Sequence, residues 1–320
     1  MCGIIGKVGE HNVLPQLLSG LKSLEYRGYD SSGVAFFKKE DIRRVRAEGK
    51  ISALEKLLEH EEKSSVATGH TRWATHGKPT RENAHPHKSP KGIFYVVHNG
   101  IIENSEEIKK TLLPAETGYE SQTDTEVFAH LLEKYYTGDP VGAIAKAQAV
   151  LKGTYAFSIL CKDFPYAIFG AASGSPLVAV KCNDGFAISS DSGAVSETAQ
   201  YSYSVSDGEI CKITRDVAEF FDATGKKINK TGESMNGKAA HFERGDYKHY
   251  MLKEIHQQPD AVRDTLETLI SLDSISLPDV SLDEDFLTEK LNRIIIVACG
   301  SAYHTGLVAK HIIEKLSGIF

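Results

Sequence analysis

The spacing of apolar segments changes near residue 153, and this change constrains the fold more than any other feature of the sequence. From Gly153 to about Phe221, short apolar runs follow one another closely, with Gly, Asp and Ser between them. Such runs predict β-hairpins in antiparallel sheet. Before residue 153, strands alternate with amphipathic helices, including one indicated by leucines at helical spacing between residues 14 and 24. The pattern predicts a layered α+β domain, with sheets inside and helices outside, that ends near residue 240.

Apolar runs and helical periodicity divide this domain into predicted elements. The predicted strands are 1–8, 32–37, 66–70, 93–98, 155–161, 166–169, 177–180, 186–189, 203–205 and 209–213. The predicted helices are 14–24, 51–58, 106–113 and 123–136. Cys161, Cys182 and Cys211 lie within the strand-like runs, and we expect them to be core residues because a free cysteine is usually buried.

The remaining residues predict a linker and the beginning of a second module. A polar connector, 226–238, precedes a helical stretch, 246–270, in which Pro259 should bend or split the helix. An acidic connector, 272–285, leads to a β-branched strand, 293–299, and a helix, 302–316. A strand, a small-residue turn and a helix open a parallel α/β unit, and such a turn can hold a phosphate. We therefore expect a domain at 1–240, a helical linker at 241–288 and an incomplete α/β module at 289–320.

Composition and charge exclude several classes of function. The net charge of -6 is spread along the chain without a basic stripe, which argues against a nucleic-acid partner. No run of 18 apolar residues predicts a membrane span, and the start lacks the features of a signal peptide. The five cysteines show no metal-binding spacing, so we expect free thiols, no metal and no cofactor in a cytoplasmic protein.

Cys2 is the candidate nucleophile. Removal of Met1 would leave a thiol and a free α-amine on the same carbon atom. Their ordinary pKa values lie near 8.5 and near 8, so a proton can pass between them at neutral pH with little driving force. An N-terminal amine that acts as base for its own side chain is a known form of nucleophile activation. The alternative is that Cys2 is a small apolar residue at the start of a strand.

Four further clusters contain groups that could bind a substrate, and each also has a purely structural interpretation. Arg27 and Asp30 surround a glycine turn, which could equally be a helix end with a surface ion pair. The planar guanidinium group of Arg72 could bind a carboxylate through two N–H groups, although an arginine side chain in contact with solvent is the commoner case. Asn99 and Gly100 could supply two N–H donors to an oxyanion, or could form a plain turn.

Asp124 completes the set of clusters. It could hold an ammonium group, although capping of the following helix is the commoner role for an aspartate at such a position. Together, the clusters comprise a thiol with its own base, an oxyanion donor pair, a carboxylate receptor and an ammonium receptor. This set suits an α-amino acid that is attacked at the far end of its side chain, and glutamine fits that description.

Several longer strings show a resemblance that covers nearly the whole chain. They are 1–4 (MCGI), 25–31 (EYRGYDS), 70–77 (HTRWATHG), 83–87 (NAHPH), 98–104 (HNGIIEN), 123–126 (TDTE), 173–177 (SGSPL) and 249–255 (HYMLKEI). With these strings the chain resembles the N-terminal part of the glutamine–fructose-6-phosphate aminotransferase (isomerizing) family, also called the glucosamine-6-phosphate synthase family. These are amidotransferases with an N-terminal nucleophile. The relatives that serve purine or asparagine synthesis share the Cys start but differ around residues 27–30.

The resemblance implies a fold, a site and a reaction. The fold would be the four-layer αββα sandwich of N-terminal-nucleophile hydrolases, as a class II glutamine amidotransferase domain, followed by the beginning of a sugar isomerase (SIS) domain. Cys2 would be the nucleophile, and Asn99 and Gly100 the oxyanion hole. The other implied substrate-binding residues are Arg27, Arg72 for the carboxylate, Trp73, Thr75, His76 and Asp124 for the ammonium group. The loop 72–81 would close over glutamine.

In the family, ammonia from L-glutamine converts fructose 6-phosphate to glucosamine 6-phosphate, and the protein is commonly a homodimer. The strand-turn of the family's isomerase domain usually reads Cys-Gly-Thr-Ser, where this chain has Cys299-Gly300-Ser301-Ala302. Later catalytic residues of the family are absent from this sequence, so we expect glutamine hydrolysis alone from it. Two alternatives stay open, namely a non-catalytic remnant or interaction module, and an amidotransferase that serves another acceptor.

Overall fold

The structure is a computed structural model that describes residues 2–58, 62–74, 77–113, 118–235, 246–270, 275 and 290–319. The chain divides into two units, Met1–Glu243 and Arg244–Phe320. The strands of the first unit are β1 (Gly3–Gly9), β2 (Ser31–Lys38), β3 (Asp41–Glu48), β4 (Val66–Arg72), β5 (His87–Lys88), β6 (Phe94–Ile102), β7 (Gly153–Cys161), β8 (Ile168–Ser173), β9 (Val178–Cys182), β10 (Gly185–Ser189), β11 (Ala199–Ser204), β12 (Ile210–Ile213), β13 (Ala218–Phe221), β14 (Lys227–Ile228) and β15 (Glu233–Ser234). Its helices are α1 (Leu14–Ser23), α2 (Ile51–Glu55), α3 (Ser105–Thr111), α4 (Asp124–Tyr135) and α5 (Pro140–Gln148).

The strands form two antiparallel sheets. The order in the eight-stranded sheet is β15-β11-β9-β10-β1-β4-β2-β3, and the order in the seven-stranded sheet is β14-β13-β12-β8-β7-β6-β5. Apolar side chains of both sheets, such as Ile4 and Val97, share one buried cluster, so the sheets pack face to face. This places β1 and β6, which carry the candidate nucleophile and the candidate oxyanion donors, in facing sheets.

Helices cover the outer face of each sheet. A second apolar cluster joins α1 and α2 to the eight-stranded sheet through residues such as Leu17 and Phe36. A third joins α3, α4 and α5 to the seven-stranded sheet through residues such as Phe128 and Phe157, whose rings stack at 3.8 Å. Each fully buried side chain of this size contributes about 1.5–3 kcal/mol. The layers therefore run helix, sheet, sheet, helix, which confirms the predicted α+β sandwich.

Strand β1 lies inside its sheet and is buried along its whole length. It pairs with β4 on one side and with β10 on the other. Its one charged side chain, Lys7, donates to Asp184 at 2.9 Å, which compensates the burial of the ammonium group. Because β1 is held on both edges, Cys2 lies at a well-fixed position at the end of the sheet.

Three predicted cysteine positions are confirmed, whereas several elements were missed. Cys161, Cys182 and Cys211 are buried in β7, β9 and β12. Strand β3 was not predicted because its three arginines interrupt the apolar pattern: Ile42 packs in the cluster between the sheets, whereas Val45 and Ala47 pack on the opposite face against the helices. Helix α5 was also missed, although Asp139 caps it and Pro140 occupies its first turn.

The segment predicted as a polar connector, 226–238, contains two short strands in its described part. Strand β14 pairs with β13, and β15 pairs with β11, so both short strands complete sheet edges. Backbone hydrogen bonds suffice for such pairing, and two-residue strands leave no readable side-chain alternation. Most of the predicted connector at 272–285 lies outside the described residues.

The second unit contains α6 (Tyr250–Leu269) and α7 (Gly300–Ser317). Pro259 was predicted to bend or split the helix, and the split does not occur, because helix α6 continues through Pro259. Helix α7 confirms the predicted C-terminal helix. Within the described part of the chain, residues 291–299 form no strand, contrary to the prediction, because β-branched residues become a strand only when a neighbour supplies hydrogen bonds. No helix among the described residues has the length and apolar character required to span a membrane.

Candidate active site

The thiol of Cys2 lies against the backbone of Trp73. The Trp73 N–H donates to Cys2 Sγ at 3.2 Å. Burial raises the pKa of the Cys2 thiol above its usual value, while the Trp73 amide and the charge of Arg72 act in the opposite direction. The thiol is therefore neutral near pH 7 in this state, and its use as a nucleophile requires a base.

The turn at residues 28–30 holds the Trp73 peptide in place. The Asp30 N–H donates to the Arg72 carbonyl at 3.0 Å, and the Asp30 carboxylate accepts from the Ala74 N–H at 2.9 Å. A Cβ atom on Gly28 would lie 2.7 Å from the Arg72 carbonyl carbon, so only glycine allows this close approach. The turn thus fixes the donor that faces the Cys2 sulfur.

Asn99 links the end of β6 to Cys2. Its Nδ2 donates to the Cys2 carbonyl oxygen at 3.1 Å, and its Oδ1 lies 3.0 Å from Nε2 of His70. Gly100 follows in β6 opposite Tyr155, with φ of 132°. A Cβ atom there would lie 2.0 Å from the Thr154 carbonyl oxygen, which explains why this position requires glycine.

The amide of Gly100 faces the open edge of β6. Successive amides of a strand alternate between its two edges. The N–H of His98 donates away from β7 to His85 Nδ1 at 3.1 Å, and the N–H of Ile102 donates to Asp124 Oδ2 at 2.7 Å. Because Gly100 lies between these residues in an unshifted register, its N–H points to the same edge. Asn99 and Gly100 can therefore present two donors near the thiol.

Asp124 lies on this same edge, two residues along β6 from Gly100, or about 7 Å. It is the first residue of α4 and is 7% exposed. Its side chain accepts from Ile102, and Thr123 occupies the N-cap position, so the capping alternative is not what the structure contains. A carboxylate at this place can receive an ammonium group.

Arg72 brings positive charge to the site from the end of β4. Its Nη1 donates to the Lys78 carbonyl at 3.3 Å. Burial lowers the pKa of the Arg72 guanidinium, while the charges of Cys2, Asp124 and Asp30 act to raise it. The structure therefore gathers Cys2, Arg72, Asn99, Gly100 and Asp124 in one region, which contains one cationic and one anionic side chain.

The remaining predicted residues differ in placement. Trp73 is 44% exposed, and its ring meets that of Tyr29 edge-on at 5.5 Å. The Arg27 guanidinium pairs with Asp191 at 3.0 Å. Thr75 and His76 lie outside the described residues.

Four buried histidines form a cluster that contacts Asn99 through His70; they are His70, His85, His87 and His98. The sequence predicted no role for them. The rings of His70 and His85 stack at 4.2 Å, and His87 meets His85 edge-on. His98 Nδ1 lies 2.9 Å from Thr125 Oγ1. The available signal was the pair His85 and His87 at alternate positions, with His98 at the end of a predicted strand, but local spacing does not show that separate segments meet. In the described ranges, no three His, Cys, Asp or Glu side chains are arranged to hold a metal ion.

Acid should destabilise the protein through this cluster. Burial lowers the pKa of His70 to about 3 and lowers the pKa values of His85 and His87 well below 6.5. Below pH 6.5 the unfolded chain binds more protons than the folded chain, so the free energy of unfolding falls as pH decreases toward 3. For His70 alone the loss is about 2 kcal/mol at pH 5. Urea unfolding at pH 7 and pH 5 measures it.

The matched variants are His87→Leu, which removes a buried titrating group, and His11→Gln, which changes an exposed histidine. We expect a smaller loss of stability between pH 7 and pH 5 for His87→Leu than for the unmodified protein, and an unchanged loss for His11→Gln. Equal losses in all three proteins would contradict a role for the buried histidines in acid sensitivity.

Comparison with known proteins identifies a family that the chain matches. Residues 57–251 match the model described as glutamine amidotransferase domain. The chain is 44% identical over 321 residues to the glutamine–fructose-6-phosphate aminotransferase (isomerizing) of Caldanaerobacter subterraneus, with coverage of 100% of this chain and 53% of that protein. It is 41% identical to the enzyme of that name from Clostridium tetani, with the same coverage. The chain thus spans about half the length of the curated relatives it matches.

One solved structure is similar to a large part of the chain. It is the glutamine phosphoribosylpyrophosphate amidotransferase from B. subtilis complexed with ADP and GMP, with a TM-score of 0.62, 26% identity, and coverage of 69% of this chain and 49% of that chain. The segment matched by the family model makes up more than half of the chain and contains Arg72, Asn99 and Asp124. A thiol beside an amide donor, on a fold shared with known amidotransferases, agrees with that match, and the chain belongs to the glutamine amidotransferase family.

Proposed function

We propose that the chain hydrolyses L-glutamine to glutamate and ammonia, with Cys2 as the nucleophile after loss of Met1. The observation that carries the proposal is the contact between Asn99 Nδ2 and the Cys2 carbonyl at 3.1 Å. This contact supports a reacting carbonyl placed between the thiol and the two donors at Asn99 and Gly100. Donors preorganised around a developing oxyanion supply one of the largest contributions to acyl-transfer catalysis.

The reaction proceeds in two halves. The α-amine of Cys2 accepts the thiol proton, and the sulfur attacks the side-chain carbonyl carbon of glutamine to form a tetrahedral oxyanion. The amide nitrogen then receives that proton and leaves as ammonia, which breaks the carbon–nitrogen bond and leaves a thioester. Water, deprotonated by the same amine, attacks the thioester and releases glutamate and the thiol.

Two opposite charges would recognise the head group of the substrate. The Arg72 guanidinium would bind the α-carboxylate, and Asp124 would bind the α-ammonium group. In support, Asp124 is held at the β6 edge by Ile102, and the Arg72 charge lies within electrostatic range of both Cys2 and Asp124. Trp73, Thr75 and His76 would complete the pocket, as the resemblance implies.

The acceptor of the ammonia is also a proposal. We propose that, in proteins of the relatives' full length, the ammonia converts fructose 6-phosphate to glucosamine 6-phosphate, and that residues 289–320 correspond to the beginning of the isomerase module. The identity of 44% to an enzyme named for fructose 6-phosphate, against 26% to one named for phosphoribosylpyrophosphate, favours this acceptor. The homodimer implied by the resemblance stays a prediction.

Steady-state kinetics with glutamine test the assignment of Asp124. Asp124→Asn keeps an oxygen for the Ile102 N–H but removes the negative charge. Loss of one charge-assisted contact costs about 1.5–3 kcal/mol, so we expect kcat/KM to fall by roughly 10–100-fold, mostly through KM. Asp216→Asn, at an exposed ion pair with Arg215, is the matched control and should leave both constants unchanged.

Product analysis tests the wider proposal. The chain incubated with glutamine and fructose 6-phosphate should release glutamate and ammonia and should form no glucosamine 6-phosphate. Absence of glutamate from material whose intact mass shows loss of Met1 would overturn the glutaminase assignment. Formation of glucosamine 6-phosphate would overturn the proposal that the synthase reaction needs sequence outside these 320 residues.

A further inference from the structure

The side-chain amide of Asn99 is oriented by two contacts on opposite sides. On one side lies the carbonyl oxygen of Cys2 at 3.1 Å, which can only accept a hydrogen bond. The nitrogen of the amide must therefore face Cys2. On the other side, Oδ1 lies 3.0 Å from Nε2 of His70, so Nε2 must carry the proton and donate it.

The surroundings of His70 hold its ring in this orientation. His70 is fully buried in β4, opposite Ile4 of β1, and its ring stacks on that of His85 at 4.2 Å with an interplanar angle of 12°. His85 is itself fixed, because its Nδ1 accepts the N–H of His98. The pKa of His70 is lowered by burial to about 3, so the ring is neutral and carries one proton.

A rotated Asn99 would damage the oxyanion hole. Without a donor at the His70 position, only the Cys2 carbonyl opposes the alternative in which Oδ1 turns toward the reacting centre. A partial negative charge would then face the oxyanion in place of an N–H. The nitrogen of the Asn99 amide has two protons. In the orientation set by His70, one proton is donated to the Cys2 carbonyl and the N–H side of the amide faces the substrate.

We propose that His70 is a positioning residue for glutamine hydrolysis: its Nε2–H fixes the amide of Asn99 so that the nitrogen faces the oxyanion. This inference rests on the proposed function, because it concerns the same reaction. His70 touches no substrate atom in this mechanism and acts only through Asn99. Its removal should therefore lower kcat and leave the KM for glutamine nearly unchanged.

The test compares three substitutions at buried histidines. His70→Leu removes the donor, His70→Gln replaces it with an amide N–H at the place of Nε2, and His87→Leu removes a neighbouring buried histidine that contacts Thr123. Because loss of a whole oxyanion donor lowers kcat by about 10²–10³, we expect His70→Leu to lower kcat by roughly 10–100-fold. We expect His70→Gln to recover kcat to within about fivefold and His87→Leu to stay within about threefold. Thermal unfolding identifies any variant that fails to fold.

A double-mutant cycle separates positioning from packing. In the Asn99→Ala background, His70→Leu should cost less than about threefold in kcat, because the group it positions is gone. Equal losses for His70→Leu and His87→Leu, no recovery by His70→Gln, or additive losses in the Asn99→Ala background would each overturn the proposal. Failure of the proposed function has a different signature, since the unmodified protein would then release no glutamate, or would release it equally well as Cys2→Ala.

Discussion

Cys2→Ala is expected to abolish glutamine hydrolysis. The substitution removes the sulfur that Trp73 contacts and leaves the backbone contact between Cys2 and Asn99 in place. Loss of the nucleophile in a protease with a catalytic triad costs about 10⁶-fold in kcat, and we expect a loss of roughly 10⁴–10⁶-fold here. Glutamate release, measured by a coupled assay, checks the result. Glutamine binding, measured by calorimetry, should persist because the head-group contacts at Arg72 and Asp124 are unchanged.

Two further variants complete the test: one is a control at another cysteine, and the other separates the thiol of Cys2 from the terminal amine. Cys299→Ala, at an exposed cysteine in the second unit, should retain full activity. Insertion of one alanine between Met1 and Cys2 keeps the thiol but converts its amine to an amide, and activity should fall as severely as in Cys2→Ala. Full turnover by the insertion variant, or by protein whose mass shows a retained Met1, would refute the role of the amine as base.

Asn99→Ala should give the second largest loss, with kcat lower by about 10²–10³-fold and KM for glutamine changed little. The reason is that the Asn99 amide gains its full interaction only when the oxyanion has formed. Asn99→Asp, which keeps the shape but places a negative charge at the oxyanion, should be at least as severe. Steady-state kinetics measure both constants.

Asn229→Ala is the control, since Asn229 is an exposed asparagine between β14 and β15. Its kinetic constants should match those of the unmodified protein. A loss of less than tenfold in kcat for Asn99→Ala would mean that other groups stabilise the oxyanion, and the contact at 3.1 Å would then be structural only.

Local patterns were sufficient for much of the fold. Leucines at helical spacing indicated α1, and close apolar runs indicated the strands after residue 153, since both signals are written in adjacent residues. Strand β3 and the two-residue strands were not predicted because their pairing depends on partners that are not adjacent in the sequence. The strand expected at 293–299 was wrong for the same reason, since propensity alone does not supply a neighbour among the described residues.

The contacts that several site residues make are also not encoded in the local sequence. Arg27 pairs with Asp191, which is 164 positions away, and its role in substrate binding stays a prediction. Asp124 could have been a helix cap, and its contact with Ile102 decides against that alternative. These outcomes depend on which distant groups come within hydrogen-bond reach, and burial then decides which of those contacts are strong.

The residue types alone supply the chemical groups: a thiol that can share a carbon with a free amine, an asparagine followed by a glycine, and charged groups suited to an amino acid. The packing of β1, β4 and β6 brings Cys2, His70 and Asn99 together and turns the nitrogen of the Asn99 amide toward Cys2. Residue types specify which hydrogen bonds are possible, whereas the packing of two sheets specifies which donors and acceptors meet.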